Sequence, residues 1–396
     1  MKIGQEVLKK IKPSGWEERR VARRVNRFLK KLNKKLTDAS AIVGGSVAKG
    51  TWLSHKPDID IFVLFNKDRN LSIKLKEILE KLFRKVELMH GSRDYFQVMK
   101  YGLIFEVIPV LKINKFSEAK NITDVSPLHV KWVTQHKNLI DQIRLCKKFC
   151  KAQGVYGAET YVKGFSGYAL EILTIYYSSF SNLLKEAAKW KNGKIIYFNK
   201  PKKSLNKSKI SPLILIDPVQ DDRNVTAALS LEKFNKFISA AKLYIKKPSL
   251  EFFEEKTVKI KDLKDKDLIL KVVPLKGKED IVGTKLLKCF EYIKKKLEKE
   301  DFKVIDSNWC WNKDALFWFN LETSELPPYK RHYGPPINKK ENLENFKKKW
   351  FEHSILQEKG RVYVKMRRIF VRANDYIRDL LTDPYIKERV KKIKIV

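Results

Sequence analysis

The sequence contains few cysteines, and this limits the kinds of site that they could form. There are four cysteines in 396 residues, and only Cys146 and Cys150 are close together. Their spacing of four residues matches one face of a helix, and no histidine pair stands beside them at zinc-site spacing. We therefore expect buried thiols in a reducing compartment, not a metal site.

The sequence also lacks long apolar segments. No stretch approaches the roughly 20 apolar residues that span a bilayer. The N-terminal stretch MKIGQEVLKKIKPSGW has neither the continuous apolar segment nor the small-residue cleavage site of a secretory signal. We see no internal repeat and no long low-complexity tract. These absences predict a cytoplasmic protein that does not insert into a membrane.

Acidic residues are scarce relative to basic ones. There are 46 Asp and Glu against 84 Lys and Arg, which gives a formal net charge of +38. The cationic residues are spread along the whole chain, so the expected partner is a polyanion. Because 43% of the residues are hydrophobic, the chain can form real cores, and its length suits two to four domains.

Three acidic residues stand out because they interrupt apolar strands. Asp58 and Asp60 lie at alternate positions of DIDIFVLF, so both carboxylates should leave the same face of one strand. Downstream, YFQVMK and LIFEVIPVL flank Tyr101 and Gly102 as the arms of a hairpin. The second arm contains Glu106 among apolar neighbours.

These acids follow a glycine turn, and together the two features predict phosphate chemistry. Gly44 and Gly45 would let the backbone approach phosphate oxygens ahead of a short helix, while Ser46 and Lys49 would add a hydroxyl and a positive charge. Carboxylates suit magnesium, and two Mg²⁺ ions can clamp both oxygens of a phosphoryl displacement. The alternative is that the acids merely pair with nearby lysines.

Helices and strands alternate along the first part of the chain. Ser14 and Glu17 predict the start of a first helix, which is followed by the strand SAIVGG and, after DIDIFVLF, by a helix over residues 71–86. A helical region follows over residues 127–180. Within it, basic residues recur at helical spacing and predict one basic stripe, formed by Arg144, Lys147, Lys148 and Lys151.

The C-terminal part predicts a different arrangement. After two strands, KIIYF and LILID, joined by an exposed loop, the chain runs as DLILKVVPL, a helix over about 283–300, DFKVIDSN and DALFWFNLE. This β-α-β-β order is typical of ferredoxin-like or RNA-recognition-like sandwiches. A basic helix near 347–349, a strand VYVKMRR and a last helix near 376–381 follow. The fold class predicted for the whole chain is therefore mixed α and β (α+β).

The chain resembles the nucleotidyltransferases of the DNA polymerase beta type and, within them, the archaeal, class I CCA-adding enzymes. The resemblance is carried by segments in family order over about residues 40–235, with weaker support beyond. They are GGSVAKGTWL, DIDIFVLF, FEVIPV, SPLHVKW, YGAETYVKGFSGYALEIL and DPVQDDRNVTAALS.

The resemblance implies an enzyme that adds C, C and A to the 3′ end of transfer RNA from CTP and ATP, with two Mg²⁺ ions and no template. It implies a metal-binding catalytic set of Asp58, Asp60 and Glu106. It implies nucleotide contacts from Gly45, Ser46, Lys49, His129, Lys147, Tyr156 and Arg223, of which Arg223 would read the base edge. The family commonly has arginine in place of Lys49 and aspartate in place of Glu106.

For the RNA, the resemblance and the charge together predict contacts to the acceptor stem and 3′ end of transfer RNA from Arg144, Lys148 and Lys151. The predicted domains are a catalytic head over 1–138, a central nucleotide- and RNA-binding neck over 139–250, and a C-terminal body and tail over 251–396. Three alternatives remain: a poly(A) polymerase, an RNA-binding protein with a degenerate transferase fold, and a small-molecule transferase. Whether the chain forms a homodimer is open.

Overall fold

The computed structural model describes residues 2–54, 57–67, 69–200 and 205–396. Their contacts divide the chain into two compact units, Met1–Lys256 and Thr257–Val396. Each unit combines helices with sheets, in agreement with the predicted α+β class. The boundary expected after residue 138 falls inside the first unit and stays a prediction. Part of the predicted exposed loop before LILID lies outside the described residues.

Two helices open the first unit, α1 (Lys2–Ile11) and α2 (Gly15–Asn33). The Ser14 hydroxyl accepts a hydrogen bond from the Glu17 backbone N–H, so the predicted cap is present at the start of α2. The first helix was predicted there, however, and α1 was not predicted. This short amphipathic segment is held by tertiary packing, because Val7 and Ile11 are buried in the helical core described below.

A five-stranded sheet follows. Its elements are β1 (Ala39–Val43), α3 (Gly45–Lys49), β2 (Ile59–Phe65), α4 (Leu71–Leu82), β3 (Glu87–Met89), β4 (Tyr95–Lys100) and β5 (Leu103–Leu111). The strand order is β1-β2-β5-β4-β3, in which only β2 and β5 are parallel among these neighbours. The predicted hairpin is β4–β5. The helix predicted over 71–86 ends at Leu82, where the next residue, Phe83, is extended.

Alternation along β5 separates the two faces of this sheet. Leu103, Phe105 and Val107 point into the core, where Phe28 of α2 stacks on Phe105 with ring centroids 4.0 Å apart. Residues at the intervening positions, Glu106 among them, lie on the opposite face. The sheet therefore buries one face under helices and presents Glu106 on the other.

A mainly helical region completes the first unit. It consists of α5 (Ser126–Thr134), α6 (Ile140–Ala152), α7 (Gly167–Tyr176), α8 (Phe180–Ala187), the short parallel strands β6 (Lys194–Ile196) and β7 (Leu213–Leu215), and α9 (Leu231–Lys246). Phe149, Phe165 and Phe237 are fully buried in its core. Cys146 and Cys150 are buried there as free thiols, as expected.

The predicted basic stripe on α6 is wrong in part. Arg144 is only 3% exposed and Lys147 only 4%. The Arg144 guanidinium donates to Asp141 (2.6 Å) and to the Trp52 carbonyl (3.2 Å). The spacing in sequence was helical as predicted, but Asp141 of the same helix and partners from outside it, the Trp52 carbonyl and Glu171, hold two of the four cations in buried positions.

The second unit is built on a four-stranded antiparallel sheet. Its elements are β8 (Leu268–Pro274), α10 (Glu279–Lys299), β9 (Val304–Trp311), β10 (Ala315–Leu321), β11 (Tyr329–Pro336), α11 (Lys340–Lys349), β12 (Ile355–Glu358), β13 (Arg361–Arg367), α12 (Ala373–Leu380), α13 (Pro384–Lys387) and β14 (Val390–Ile395). The sheet order is β14-β8-β10-β9, and the predicted β-α-β-β elements are present in order.

A smaller three-stranded sheet, in the order β11-β13-β12, is inserted between β10 and α12. It has its own small core around Phe346, Val362 and Val364. The elements β13 and α11 were predicted from the sequence, whereas β11, β12 and β14 were not. None of the helices in the described part of the chain combines the length and the apolar character that crossing a bilayer requires.

Candidate active site

The exposed face of the first sheet forms one wall of a cleft of about 390 Å³. Several residues singled out from the sequence line it. They are Gly45 and Lys49 of α3, Asp60 of β2, Glu106 of β5 and His129 of α5. The structure therefore brings the glycine turn, two of the three acids and the histidine to one place, although they are spread over 85 residues.

Asp60 and Glu106 face each other because β2 and β5 are parallel neighbours. They are register partners, so their side chains leave the same face of the sheet side by side. Glu106 is also the register partner of Gln97 on β4, and the Gln97 amide donates to Glu106 Oε1 at 2.8 Å. Gln97 thus fixes the orientation of the Glu106 carboxylate.

Two neighbouring carboxylates resist ionisation together. Burial first, and then the neighbouring Glu106 carboxylate, raise the pKa of the Asp60 carboxyl to about 7, although Lys49 acts in the opposite direction. Asp58 lies exposed immediately before β2 and adds to the upward shift in the pKa of Asp60. A cation bound here would relieve this repulsion.

Gly45 allows the glycine turn to lie against Asp60. Its φ of +54° is in the left-handed region, and a Cβ at this position would overlap the Asp60 carboxylate. The Gly44 backbone N–H donates to the Asp60 carbonyl at 2.7 Å. Ser46 lies half-buried on α3. The backbone of the turn is therefore held next to the acidic pair.

The side chains of the cleft that could bind a metal suit magnesium, but they are few. In the described parts of the chain, no three His, Cys, Asp or Glu side chains are grouped at metal-ligand spacing. Mg²⁺ is commonly held by one or two carboxylates, with water and substrate phosphates supplying the other oxygens. Asp60 and Glu106 are sufficient for that mode of binding.

A buried carboxylate, Glu171 of α7, joins three elements beside the cleft. It accepts hydrogen bonds from Lys49 (2.8 Å), Lys147 (2.7 Å) and the Thr51 hydroxyl (2.7 Å). Burial alone would raise the pKa of Glu171, but Lys147 and then Lys49 hold it down to about 2. One carboxylate therefore holds both lysine side chains in place, and Lys49 also lines the cleft.

A second polar cluster lies beside His129. Asp217, which is 1% exposed, lies 3.0 Å from His129 Nε2 and accepts hydrogen bonds from the Tyr168 hydroxyl (3.0 Å) and from Arg223 (3.3 Å). Tyr168 stacks on His129, with ring centroids 4.2 Å apart. Burial lowers the pKa of His129, while Asp217 opposes this shift. Arg223 is thus anchored next to the cleft.

The other predicted residues lie farther along the helical region. Tyr156 is half-buried with the Lys151 ammonium over its ring at 5.1 Å, and burial raises the pKa of its hydroxyl. Lys148 pairs with Glu255 at 2.8 Å, and Lys151 is exposed. Arg144, predicted to contact RNA, is only 3% exposed, so it offers little surface to a phosphate in this structure and its RNA contact stays a prediction.

Sequence reasoning missed the groups that position the site: Gln97, Thr51, Tyr168, Glu171 and Asp217. A usable signal existed for two of them. Glu171 interrupts the apolar helix GYALEILTIY, and Asp217 ends the apolar strand LILID. The argument that singled out Asp60 and Glu106, an acid inside an apolar run, applies equally to both.

The glycine turn, the paired acids on neighbouring strands and the flanking cations define a nucleotidyltransferase. Three family descriptions match the chain in order. They are the nucleotidyltransferase domain (residues 23–129), the second domain of tRNA nucleotidyltransferase (141–254) and the C-terminal domain of the CCA-adding enzyme (274–388). The enzymes of this class typically use nucleoside triphosphates and a divalent metal.

Curated relatives identify the particular family. CCA-adding enzymes of Saccharolobus islandicus and Sulfurisphaera tokodaii are 35% and 36% identical over 92% and 94% of this chain, and 89% and 90% of theirs. That of Nanoarchaeum equitans is 36% identical over 83% of this chain and 84% of its own. The chain belongs to the CCA-adding enzyme family.

Solved structures agree at the level of the fold. A cytoplasmic RNA terminal U-transferase superposes with a TM-score of 0.51 at 15% identity, covering 65% of this chain and 98% of that one. A poly(U) polymerase superposes with a TM-score of 0.52 at 16% identity, over 64% and 98%. At such low identity these likenesses show the fold alone.

Proposed function

We propose that this enzyme adds C, C and A, without a template, to the 3′ end of transfer RNA, using CTP and ATP. The name shared by the curated relatives supports the substrate. The observation that carries the chemistry is the pairing of Asp60 with Glu106 on adjacent strands of one cleft. The three-domain division into head, neck, and body with tail is part of the proposal.

In each proposed step, the 3′-hydroxyl oxygen of the RNA forms a bond to the α-phosphorus of the nucleotide. The bond from that phosphorus to the oxygen bridging to the β-phosphorus breaks, and pyrophosphate leaves with the bond electrons. Glu106, oriented by Gln97, accepts the hydroxyl proton. Two Mg²⁺ ions held by Asp58, Asp60 and Glu106 would lower the pKa of the hydroxyl and neutralise the leaving group.

The neighbouring residues would bind the nucleotide. Gly45 and Ser46 present the turn backbone and a hydroxyl to the triphosphate, and Lys49 adds a positive charge held in place by Glu171. Lys147 and Tyr156 would contribute to the same side of the nucleotide-binding site. Arg223, anchored by Asp217 beside His129, presents a fork of donors to the base edge. Lys148 and Lys151 would contact RNA phosphates.

The test is to incubate the protein with magnesium and a transfer RNA lacking its 3′ CCA, and to size the products. CTP alone should add two residues, CTP with ATP should stop at three, and UTP should add none. The matched control, Asp60→Asn, should abolish addition while leaving RNA binding intact. A long ladder with ATP alone would instead indicate a poly(A)-type transferase, and substantial turnover by Asp60→Asn would contradict the assigned metal site.

A further inference from the structure

A second concave surface lies between α2 and the β4–β5 turn. It has a volume of about 460 Å³ and shares no lining residue with the acidic cleft. Its lining, which we call the basic cleft, consists of Arg27, Lys30, Lys31, Lys34, Lys100 and Tyr101. The lining contains five cationic side chains and no acidic one, so the surface concentrates positive charge in a concavity.

Like charges are concentrated at the C-terminal end of α2, where the helix dipole favours cations but their mutual repulsion opposes such close spacing. Residues 27, 30, 31 and 34 follow the spacing i, i+3, i+4 and i+7, which places four like charges on one helix face. None of the ion pairs within the described part of the chain includes one of the five cations of the basic cleft. Lys31 donates a hydrogen bond to the Leu82 carbonyl at 2.9 Å, and the counter-charge for the basic cleft is left to a ligand or to solvent ions.

Tyr101 provides a second, independent observation. It occupies the first position of a two-residue turn with φ of +53°, and Gly102 follows with φ of +69°. Such turns favour Asn-Gly, and a bulky residue with positive φ is a rare and strained choice. The strained turn places the tyrosine ring among the cations, 4.8 Å from the Arg27 guanidinium and 5.7 Å from the Lys100 ammonium.

Cations around an aromatic ring form the kind of surface that binds a nucleic-acid backbone while a base or sugar packs on the ring. The basic cleft lies at the end of the sheet where β5 begins, on the side covered by α2, whereas Glu106 faces the opposite side. Tyr101 precedes Glu106 by five residues, which corresponds to about 16 Å of extended chain. An RNA whose 3′ end lies at Asp60 and Glu106 therefore reaches the basic cleft by passing around the β4–β5 turn.

We infer that the basic cleft binds the sugar-phosphate backbone of the substrate RNA, a few nucleotides from its 3′ end, with Tyr101 packed against one nucleotide. The inference rests on the proposed function in taking the RNA to be the substrate. It adds a contact surface on α2 and the hairpin turn, outside the neck residues Lys148 and Lys151.

The first test compares two triple variants of the full chain that remove equal charge. Arg27→Gln with Lys30→Gln and Lys34→Gln changes the basic cleft. Lys242→Gln with Lys246→Gln and Lys247→Gln changes exposed lysines at the end of α9. The Kd for a transfer RNA lacking its CCA is measured in EDTA, without nucleotide, between 50 and 200 mM KCl.

We expect the basic-cleft variant to raise the Kd at 100 mM KCl about tenfold or more. The slope of log affinity against log salt should become shallower by about 2 to 3, since three phosphate contacts are lost. The α9 variant should stay within twofold. Equal losses of RNA affinity in both variants would indicate a general charge effect and overturn the inference. A basic-cleft variant that loses binding to anionic vesicles but keeps its RNA binding would overturn it as well.

The second test separates the role of Tyr101 in the turn from its role in binding. Tyr101→Asn gives the turn its preferred sequence, so we expect a higher Tm together with weaker RNA binding, whereas Tyr101→Phe should retain most of the affinity. RNA binding by Tyr101→Asn as tight as in the unmodified protein would show that the ring does not contact RNA. These binding tests hold even if the unmodified enzyme fails to extend the RNA, a result that would refute only the proposed function.

Discussion

Gly45 is a residue at which a single methyl group should disable the site. Gly45→Ala adds a Cβ that overlaps the Asp60 carboxylate and also forces alanine into a positive φ. We expect the rate of nucleotide addition to fall at least 100-fold, measured with saturating RNA and nucleotide.

Gly360→Ala is the matched control, because Gly360 has φ of +73° but its Cβ would meet no atom within 4 Å. This variant should lose about 1 kcal/mol of stability through backbone strain and keep its activity. Equal activities of the two variants would show that displacement of Asp60 is not the cause.

Glu106 tests whether charge or side-chain length matters in the acidic pair. Glu106→Asp keeps the carboxylate on a side chain one methylene shorter, so the single-turnover rate should stay within about tenfold. Glu106→Gln removes the charge and should lower the rate by about 1,000-fold or more. An inactive Glu106→Asp would mean that the hydrogen bond from Gln97 to the longer side chain is essential.

A variant of Arg223 tests whether this residue recognises the base of the incoming nucleotide. Removing its guanidinium in Arg223→Ala should reduce the preference for CTP over UTP, because a planar fork of donors distinguishes base edges. The measurement is the ratio of kcat/KM values for the two nucleotides, with Mg²⁺ dependence as the control that should not change. An unaltered ratio would remove the role assigned to Arg223.

Among individual residues, acids within apolar runs could be recognised in the sequence, whereas the side chains that contact them could not. Asp60 and Glu106 were predicted because each interrupts a strand. Their register depends on a parallel pairing between strands more than 40 residues apart, whereas the Gln97 amide reaches Glu106 across the antiparallel β4–β5 hairpin. Spacing along the chain contains no information on that pairing.

Glu171 links α3, α6 and α7, so its contacts stabilise the packing of three helices against one another. Unfolded glutamate has a pKa of about 4.3, and in the folded protein the two lysines lower it to about 2. Ionised Glu171 therefore stabilises the folded state above pH 4.3, and this stabilisation is lost as the pH falls towards 2.

Glu171→Gln should lower the free energy of unfolding by about 3 kcal/mol at pH 7, because it leaves Lys147 and Lys49 buried without a counter-charge. The difference from the unmodified protein should shrink below pH 4.3, as measured by denaturant unfolding at several pH values. Glu186→Gln, which breaks the exposed pair with Lys189, should cost less than about 1 kcal/mol. A difference that stays constant into acid would contradict this account.

Elements with strong periodicity were predictable, and those set by tertiary contacts were not. The β4–β5 hairpin and α2 follow from turn and cap signals in the sequence. The error on α6 arose because its spacing could not reveal Glu171, a buried partner on another helix. The strand β14 was missed because its sequence, VKKIKI, is dominated by the lysines that suit a sheet edge.

For the whole molecule, the net charge of +38 should govern the encounter with RNA. We expect the association rate constant for transfer RNA to fall at least tenfold between 0.05 and 0.3 M KCl, because salt screens long-range attraction. Stopped-flow fluorescence measures it. The rate of nucleotide addition within the preformed complex should change less than twofold, and salt-independent association would show that local contacts alone drive binding.

The sheet of the second unit has a consequence for synthesis on the ribosome. The strand β8 lies between β10 and β14, so one of its two edges is paired only by residues 390–395, more than 110 residues later in the chain. A nascent chain that has already formed β8, β9 and β10 still exposes that edge, which can pair with another nascent chain. Completion of this unit must therefore wait for β14, and crowded polysomes or slow translation near the end of the message should favour aggregation over folding.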